Sequence, residues 1–138
     1  MTVQLNAYLH FFDDARQAME FYRSVLGGEL TLSTFGDFNA SEDPAEQDKI
    51  MHAQLTTDSG MVLMASDTPP GMDGTKGTNF SLSLSGDDEP TLRRYFDGLA
   101  GGGSVTMPLG PAPWGDTFGM LVDKFDVKWM VSIAPPAA

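Results

Sequence analysis

Two histidines and two aspartates at strand ends are the residues of this chain whose types could support chemistry. His10 and His52 are its only imidazoles, and an imidazole can serve as general acid, general base or metal ligand. Asp67 and Asp123 each follow a predicted strand and precede a turn, where aspartate commonly binds backbone N–H groups. We expect this structural role for both carboxylates, with a part in chemistry as the alternative.

Position along a strand decides what each imidazole can reach. His10 and Ala7 are three residues apart on the same predicted strand, so their side chains point to opposite faces. We expect the side of His10 to be the helix side, with His10 packed or half exposed beside the first helix. His52 alternates with apolar residues and shares a face with Gln54 and Thr56. That polar face predicts either a cleft-lining role for His52 or a structural hydrogen bond.

Aromatic and thioether side chains could supply an apolar wall. Trp114 and Phe118 follow Pro111 and Pro113 in a predicted loop. Core packing is the default expectation for this pair, and an aromatic wall for a ligand is the alternative. The strand methionines are expected in the core, although in a cleft they would form an adaptable apolar surface.

Several chemistries are excluded. The chain has no cysteine, which rules out disulfides, thiolate zinc sites and cysteine nucleophiles. The run Gly101-Gly102-Gly103 follows a predicted helix instead of opening one, so it is not a phosphate loop. No nucleophile elbow accompanies Ser66, Asp67 and His52.

The hydrophobic periodicity predicts eight strands and two helices. Apolar residues at spacings of three and four predict helices that begin after Asp14 and near Asp88, and each ends at glycines. The strands are predicted at residues 3–12, 29–35, 50–57, 61–66, 79–85, 104–108, 117–122 and 127–133. An acidic loop is expected at 36–49, a linker at 68–76 and a loose tail at 135–138.

The element order strand–helix–strand–strand–strand occurs twice, which indicates an internal repeat. Phe21-Tyr22 followed by Gly27-Gly28 matches Tyr95-Phe96 followed by Gly101-Gly102. We therefore predict a single domain over 1–138 that is built from βαβββ modules at 1–70 and 77–134.

Length and charge limit the possible partners. The 138 residues are 41% hydrophobic and carry a net charge of −11, with no basic cluster larger than Arg93-Arg94. Nucleic acid and anionic membranes are therefore poor partners. No apolar run approaches a membrane span and no secretory signal is evident, so a cytoplasmic location is expected. The acidity favours solubility, with attraction of a cationic ligand as the alternative.

Paired modules of this order resemble the vicinal oxygen chelate superfamily, which includes glyoxalase I, extradiol dioxygenases and the fosfomycin- and bleomycin-resistance proteins. The PhnB-like branch is the most similar. The matching segments are Tyr8-Leu9-His10-Phe11, Ala18-Met19-Glu20-Phe21-Tyr22, Leu26-Gly27-Gly28-Glu29, His52-Ala53, Leu63-Met64-Ala65-Ser66-Asp67, Pro113-Trp114-Gly115, Phe118-Gly119, Asp123-Lys124-Phe125 and Trp129-Met130. The resemblance implies an α+β fold in which two paired βαβββ modules form a curved mixed sheet around a cleft. It also implies a homodimer.

Enzymes of this superfamily hold a divalent metal with histidine and glutamate on the first and last strands of each half. Aligned with that pattern, the ligand positions fall on Ala7, near Met64, on Asn79 or Ser81, and near Met130. None is an imidazole or a carboxylate, so no metal and no cofactor is expected.

The sequence therefore predicts a metal-free, PhnB-like protein that binds a small molecule of unknown identity. The alternatives are a metal-dependent lyase or dioxygenase, an enzyme that uses His52 as acid or base, and a drug-sequestering resistance protein. The predicted cleft residues are Phe11, His52, Gln54, Met64, Asn79, Ser81, Trp114 and Met130.

Overall fold

The structure is a computed structural model that describes residues 3–38, 44, 47–68 and 77–135. The chain divides between residues 76 and 77 into two compact units. Half of the predicted acidic loop, the linker after Thr68 and the end of the tail lie outside the described residues.

Each unit holds one four-stranded mixed sheet and one long helix. The elements of the first unit are β1 (Ala7–Phe11), α1 (Ala15–Leu26), β2 (Glu29–Thr34), a 3₁₀ turn (Gly36–Phe38), β3 (Ile50–Thr56) and β4 (Val62–Asp67). Those of the second unit are β5 (Leu82–Gly86), α2 (Glu89–Ala100), β6 (Ser104–Pro111), β7 (Thr117–Val122) and β8 (Lys128–Ile133).

The two sheets have the same topology. The strand orders are β1-β4-β3-β2 and β5-β8-β7-β6, and in each sheet the first strand runs parallel to the last while the other pairs are antiparallel. The α+β fold and the repeated element order predicted from the sequence are thus confirmed.

One face of each sheet packs against its helix. The buried side of α1 carries Ala15, Ala18, Met19, Tyr22 and Leu26, at the three- and four-residue spacing of a single helix face. It contacts β2, β3 and β4, and the strand residues buried on this side of the sheet are Leu9, Phe11, Ala53, Leu55, Leu63 and Ala65. In the second unit, α2 buries Leu92, Phe96 and Leu99 beside strands that bury Leu84, Leu121, Trp129, Val131 and Ile133.

Some element ends differ from the prediction. β1 begins at Ala7 because Val3 and Leu5 are fully exposed, and β5 begins at Leu82, after Asn79 and Ser81. β6 extends to Pro111, and it is an edge strand, where a proline need not remove a ladder hydrogen bond. No helix in the described ranges is long and apolar enough to cross a membrane.

Candidate functional site

The face of the first sheet turned away from α1, here called the open face, is predominantly polar. Burial alternates along β3, with His52 and Gln54 half exposed between the buried residues Ala53 and Leu55. The strand registers then assign the open-face residues as Tyr8, His10, Glu29, Thr31, Ser33, His52, Gln54, Thr56, Val62, Met64 and Ser66.

Three rings gather on this face. The ring centroid of Tyr8 lies 5.2 Å from that of His10 and 5.9 Å from that of His52, at interplanar angles of 38° and 40°. The hydroxyl of Tyr8 is 3.5 Å from Nδ1 of His52, at the long limit of a hydrogen bond. The only two imidazoles of the chain therefore share one phenol as a neighbour.

A serine lies between the two histidines. His10 pairs with Ser66 across β1 and β4, and the β3–β4 register, continued one residue past Ala53 and Ala65, brings His52 to the other side of Ser66. We call His10, Ser66 and His52 the imidazole row. Ser66 is 8% exposed as a residue, and its hydroxyl has no hydrogen-bond partner in the part of the chain that the structure describes.

The structure brings together three of the four predicted site residues of the first unit. His52, Gln54 and Met64 lie on the open face, and Gln54 pairs directly with Met64. Phe11 does not join them, because it is 3% exposed and shares the helix side of β1 with Leu9. The cleft-lining role predicted for Phe11 is therefore withdrawn.

The expected position of His10 is also wrong. Its side chain is exposed on the open face instead of lying beside α1. Sequence reasoning overlooks Tyr8, His10 and Ser66 as a group. The sequence could have indicated Ser66, because it lies two residues from Met64 and residues at that spacing share one side of a strand such as β4.

The predicted site residues of the second unit are more dispersed. Met130 lies on the face of its sheet turned away from α2 and pairs with Ser83 of β5. Asn79 and Ser81 precede that strand. These two predicted cleft residues therefore do not lie on a strand, although the sequence predicts a strand that begins at residue 79.

Trp114 is exposed, contrary to the default expectation of core packing. It is 62% exposed and meets the Phe118 ring edge-on at a centroid distance of 5.3 Å. Both rings, with Met107 and neighbouring prolines, line a shallow apolar hollow of about 240 Å³. An aromatic wall is therefore the better description of this pair.

The two aspartates at strand ends bind backbone groups, as expected. Oδ1 of Asp67 accepts the N–H groups of Asp13 and Ala15 at 2.9 and 3.0 Å, and Oδ2 accepts that of Ile50 at 2.8 Å. Both carboxylates are 2% exposed.

Asp123 shapes the turn between β7 and β8. Its Oδ1 accepts the N–H groups of Phe125 and Val127 at 2.8 and 3.1 Å, and its Oδ2 accepts the indole N–H of Trp129 at 2.8 Å. The burial of Asp67 and Asp123 is thus accounted for by their hydrogen bonds to backbone and indole N–H groups.

The residues present do not fit the divalent metal that the resemblance implies. On the faces turned away from the helices, the first and last strands of the two units carry Tyr8, His10, Val62, Met64, Ser66, Ser83, Ser85, Lys128, Met130 and Ser132. This set contains one imidazole and no carboxylate. Ala7 pairs with Leu63 on the helix side, and within the described residues no three histidine, cysteine, aspartate or glutamate side chains cluster as metal ligands would.

Comparison with known proteins places the fold in a family. The profile of the Glyoxalase/Bleomycin resistance protein/Dioxygenase superfamily matches residues 4–131. The chain is 29% identical to Protein YjdN of Escherichia coli (strain K12), over 94% of each chain.

Two solved structures are similar over nearly the whole chain. Protein PA1353 from Pseudomonas aeruginosa is 41% identical, with a TM-score of 0.82 and coverage of 98% of this chain and 100% of that one. The Bacillus cereus protein described as a putative 3-demethylubiquinone-9 3-methyltransferase, PhnB protein, is 26% identical, with a TM-score of 0.73 and coverage of 96% and 100%. This chain belongs to the Glyoxalase/Bleomycin resistance protein/Dioxygenase superfamily.

Proposed function

We propose that this protein is a PhnB-like member of the superfamily that binds a small organic molecule without a metal ion. The observation that carries the proposal is the contact of Tyr8 with both His10 and His52 on the open face of the first sheet. The rings project from regular strands, so their positions are set by backbone pairing. Such a surface combines placed hydrogen-bonding groups with aromatic and thioether area, as small-ligand sites do.

Met64 and Gln54 extend the proposed site by one cross-strand step. Met64 pairs with Tyr8 on one side and with Gln54 on the other, so a thioether lies between a phenol and an amide. A thioether adapts to ligand shape, while the amide can donate and accept hydrogen bonds. Asn79, Ser81, Trp114 and Met130, which belong to the second unit, remain proposed ligand contacts in their own right.

Two alternative functions are less well supported. A metal-dependent lyase or dioxygenase would need a ligand set that the open-face strand positions lack. A protein that sequesters cationic drugs would need carboxylates at the site, yet Glu29 is the only acidic residue on the open face of the first sheet.

Three broader statements are part of the same proposal. The βαβββ modules at 1–70 and 77–134 act as one ligand-binding domain, the protein is a homodimer, and it works in the cytoplasm. The resemblance supports the first two. The composition of the chain, which lacks cysteine, is compatible with the third.

A fragment screen by saturation-transfer NMR tests the proposed site. We predict that His52→Ala weakens the binding of fragment hits about tenfold or more, because a ligand group left without its hydrogen bond loses roughly 1–3 kcal/mol. The temperature of unfolding should change little, since the half-exposed ring of His52 contacts the ring of Tyr8 on the surface of the sheet. Elemental analysis of the purified protein should give less than one equivalent of Zn, Ni, Mn or Fe.

Ser85→Ala is the control, because Ser85 is an exposed residue of β5 that lies outside the proposed site. It should retain the hits. Equal binding by wild type and His52→Ala, or a stoichiometric metal held by side chains of the site, would contradict the proposal.

A further inference from the structure

We infer that the imidazole row receives the carboxylate of a small, ring-bearing molecule, with the hydroxyl of Ser66 as its central hydrogen-bond donor. This inference rests on the proposed function and names the ligand class for the same site.

Ser66 is the first reason. The residue is 92% buried and lies on the open face between two imidazoles, and its hydroxyl has no hydrogen-bond partner among the described residues. A buried polar group left unsatisfied costs about 1–3 kcal/mol. A ligand atom that accepts the hydroxyl proton would recover that loss, so the row is suited to an acceptor.

The charges around the row are the second reason. His10, Ser66, His52 and the neighbouring Tyr8 can all donate a hydrogen bond, whereas none is a carboxylate. The acidic residue of this face is Glu29, at the start of the edge strand β2. It pairs with Thr56, four residues along β3 from His52. A cation would therefore find no anionic partner at the row, while a carboxylate would meet donors on several sides.

The open-face residues of the first sheet include no lysine or arginine, which narrows the chemical class of the ligand further. Phosphates and other dianions are usually bound by guanidinium or ammonium groups, which this described face lacks. A singly charged carboxylate needs less compensation and can use neutral donors.

The position of Tyr8 indicates what the carboxylate is attached to. Tyr8 and Met64 form the cross-strand pair next to His10 and Ser66 on the same face, and two residues along a strand span about 7 Å. A ring joined directly to a carboxylate at the row would lie over this phenol and thioether. Benzoate is the simplest molecule with these features.

Titrations of the full-length protein with benzoate, benzamide and benzylamine, followed by amide chemical shifts, test the inference. We expect benzoate to bind about fivefold or more tighter than either of the others, because a carboxylate forms charge-assisted hydrogen bonds. Ser66→Ala should weaken benzoate binding at least about fivefold. Ser85→Ala, at an exposed serine on β5 of the second unit, is the control and should leave benzoate binding unchanged.

The shifts of the wild-type protein supply a second measurement that does not depend on the folding of the variant. They should centre on Ser66, His10 and His52. Shifts centred elsewhere, no benzoate binding, or equal binding of amide or amine would overturn the carboxylate inference. The proposed function would survive if fragment hits still depended on His52, and it would fail separately if they did not.

Discussion

One buried carboxylate joins three segments of the first unit. Asp67, the last residue of β4, accepts hydrogen bonds from the turn before α1, from the first residue of α1 and from the first residue of β3. Asp14 occupies the N-cap position of α1 but makes no side-chain cap bond. The helix is thus capped by a residue distant in sequence, which local capping rules do not identify.

Replacing Asp67 by asparagine should destabilise the protein by about 2–4 kcal/mol. The amide nitrogen would face a backbone N–H group in place of a charged acceptor, and buried N–H groups would lose their bonds. Urea unfolding measures the change. Asp97→Asn, at an exposed position of α2, is the control and should change the free energy of unfolding by no more than about 0.5 kcal/mol. A similar small change for Asp67→Asn would show that the cap is dispensable.

At the scale of the element, the sequence predicts which face of a strand is buried only where polar and apolar residues alternate. His52 and Gln54 alternate with Ala53 and Leu55, and their face is predicted correctly. The run from Tyr8 to Phe12 is aromatic or apolar at nearly every position, so it contains no alternation that assigns a face.

The connection from β1 to α1 then decides which side of β1 meets the helix. Asp13 adopts a left-handed conformation with φ of 84°, and Phe11 turns inward while His10 turns outward. No local pattern in the sequence predicts this turn. The order of elements was predictable because amphipathic helices and glycine stops are local signals, whereas the imidazole row depends on pairing between distant strands.

Two glycines hold equivalent close contacts in the two units. A Cβ on Gly28 would lie 2.3 Å from the carbonyl oxygen of Thr56, and one on Gly103 would lie 2.2 Å from that of Val122. Each glycine precedes the second strand of its unit, opposite the end of the third. The repeat therefore aligns Gly28 with Gly103 instead of Gly102, the match expected from the sequence.

Gly28→Ala and Gly103→Ala should each lower stability by more than about 2 kcal/mol, because the backbone oxygen cannot move without separating paired strands. Thermal unfolding is the readout. Gly110→Ala is the control, since its Cβ would meet no atom closer than 3.9 Å. If all three variants unfolded at the same temperature, the contacts of Gly28 and Gly103 with the carbonyl oxygens would not contribute to stability.

A small turn after β2 provides a pH-dependent element. The carboxylate of Asp37 accepts the backbone N–H of Thr34 at 2.9 Å, and the hydroxyl of Thr34 accepts the N–H of Asp37 at 3.1 Å. The backbone bond and then the side-chain bond with Thr34 lower the pKa of Asp37 below its ordinary value of 3.8. A lowered pKa means that the ionised carboxylate stabilises the fold above pH 3.8, and this contribution is lost as the pH falls through the folded-state pKa.

Carboxyl NMR titration should therefore give Asp37 a pKa below 3.8 in the wild type and a higher one in Thr34→Val. The stability difference between wild type and Asp37→Asn should shrink under more acidic conditions. A pKa of Asp37 that does not respond to Thr34→Val would assign no role to the side-chain bond.

At the scale of the whole molecule, the negative charge is not concentrated on the proposed site. The chain carries 19 acidic and 8 basic residues, yet the open face of the first sheet includes Glu29 as its only acidic side chain. Exposed acidic residues instead occupy helices and turns, such as Glu20, Asp58 and Asp97. The negative electrostatic field of the whole molecule therefore repels a carboxylate, whereas the hydrogen-bond donors of the proposed site attract one.

This opposition predicts an uncommon salt dependence. The net charge of −11 repels an approaching anion over long distances, and salt screens that repulsion, with a Debye length of about 10 Å at 0.1 M. Hydrogen bonds at the imidazole row act at contact and are screened much less. Raising NaCl from about 20 to 300 mM should leave the affinity for benzoate unchanged or raise it by up to about twofold, whereas binding of benzylamine to the acidic surface should weaken. Calorimetric titration at both salt concentrations measures each affinity. A benzoate affinity that fell severalfold with salt would mean that a net positive field draws the anion in, which is incompatible with the site as described.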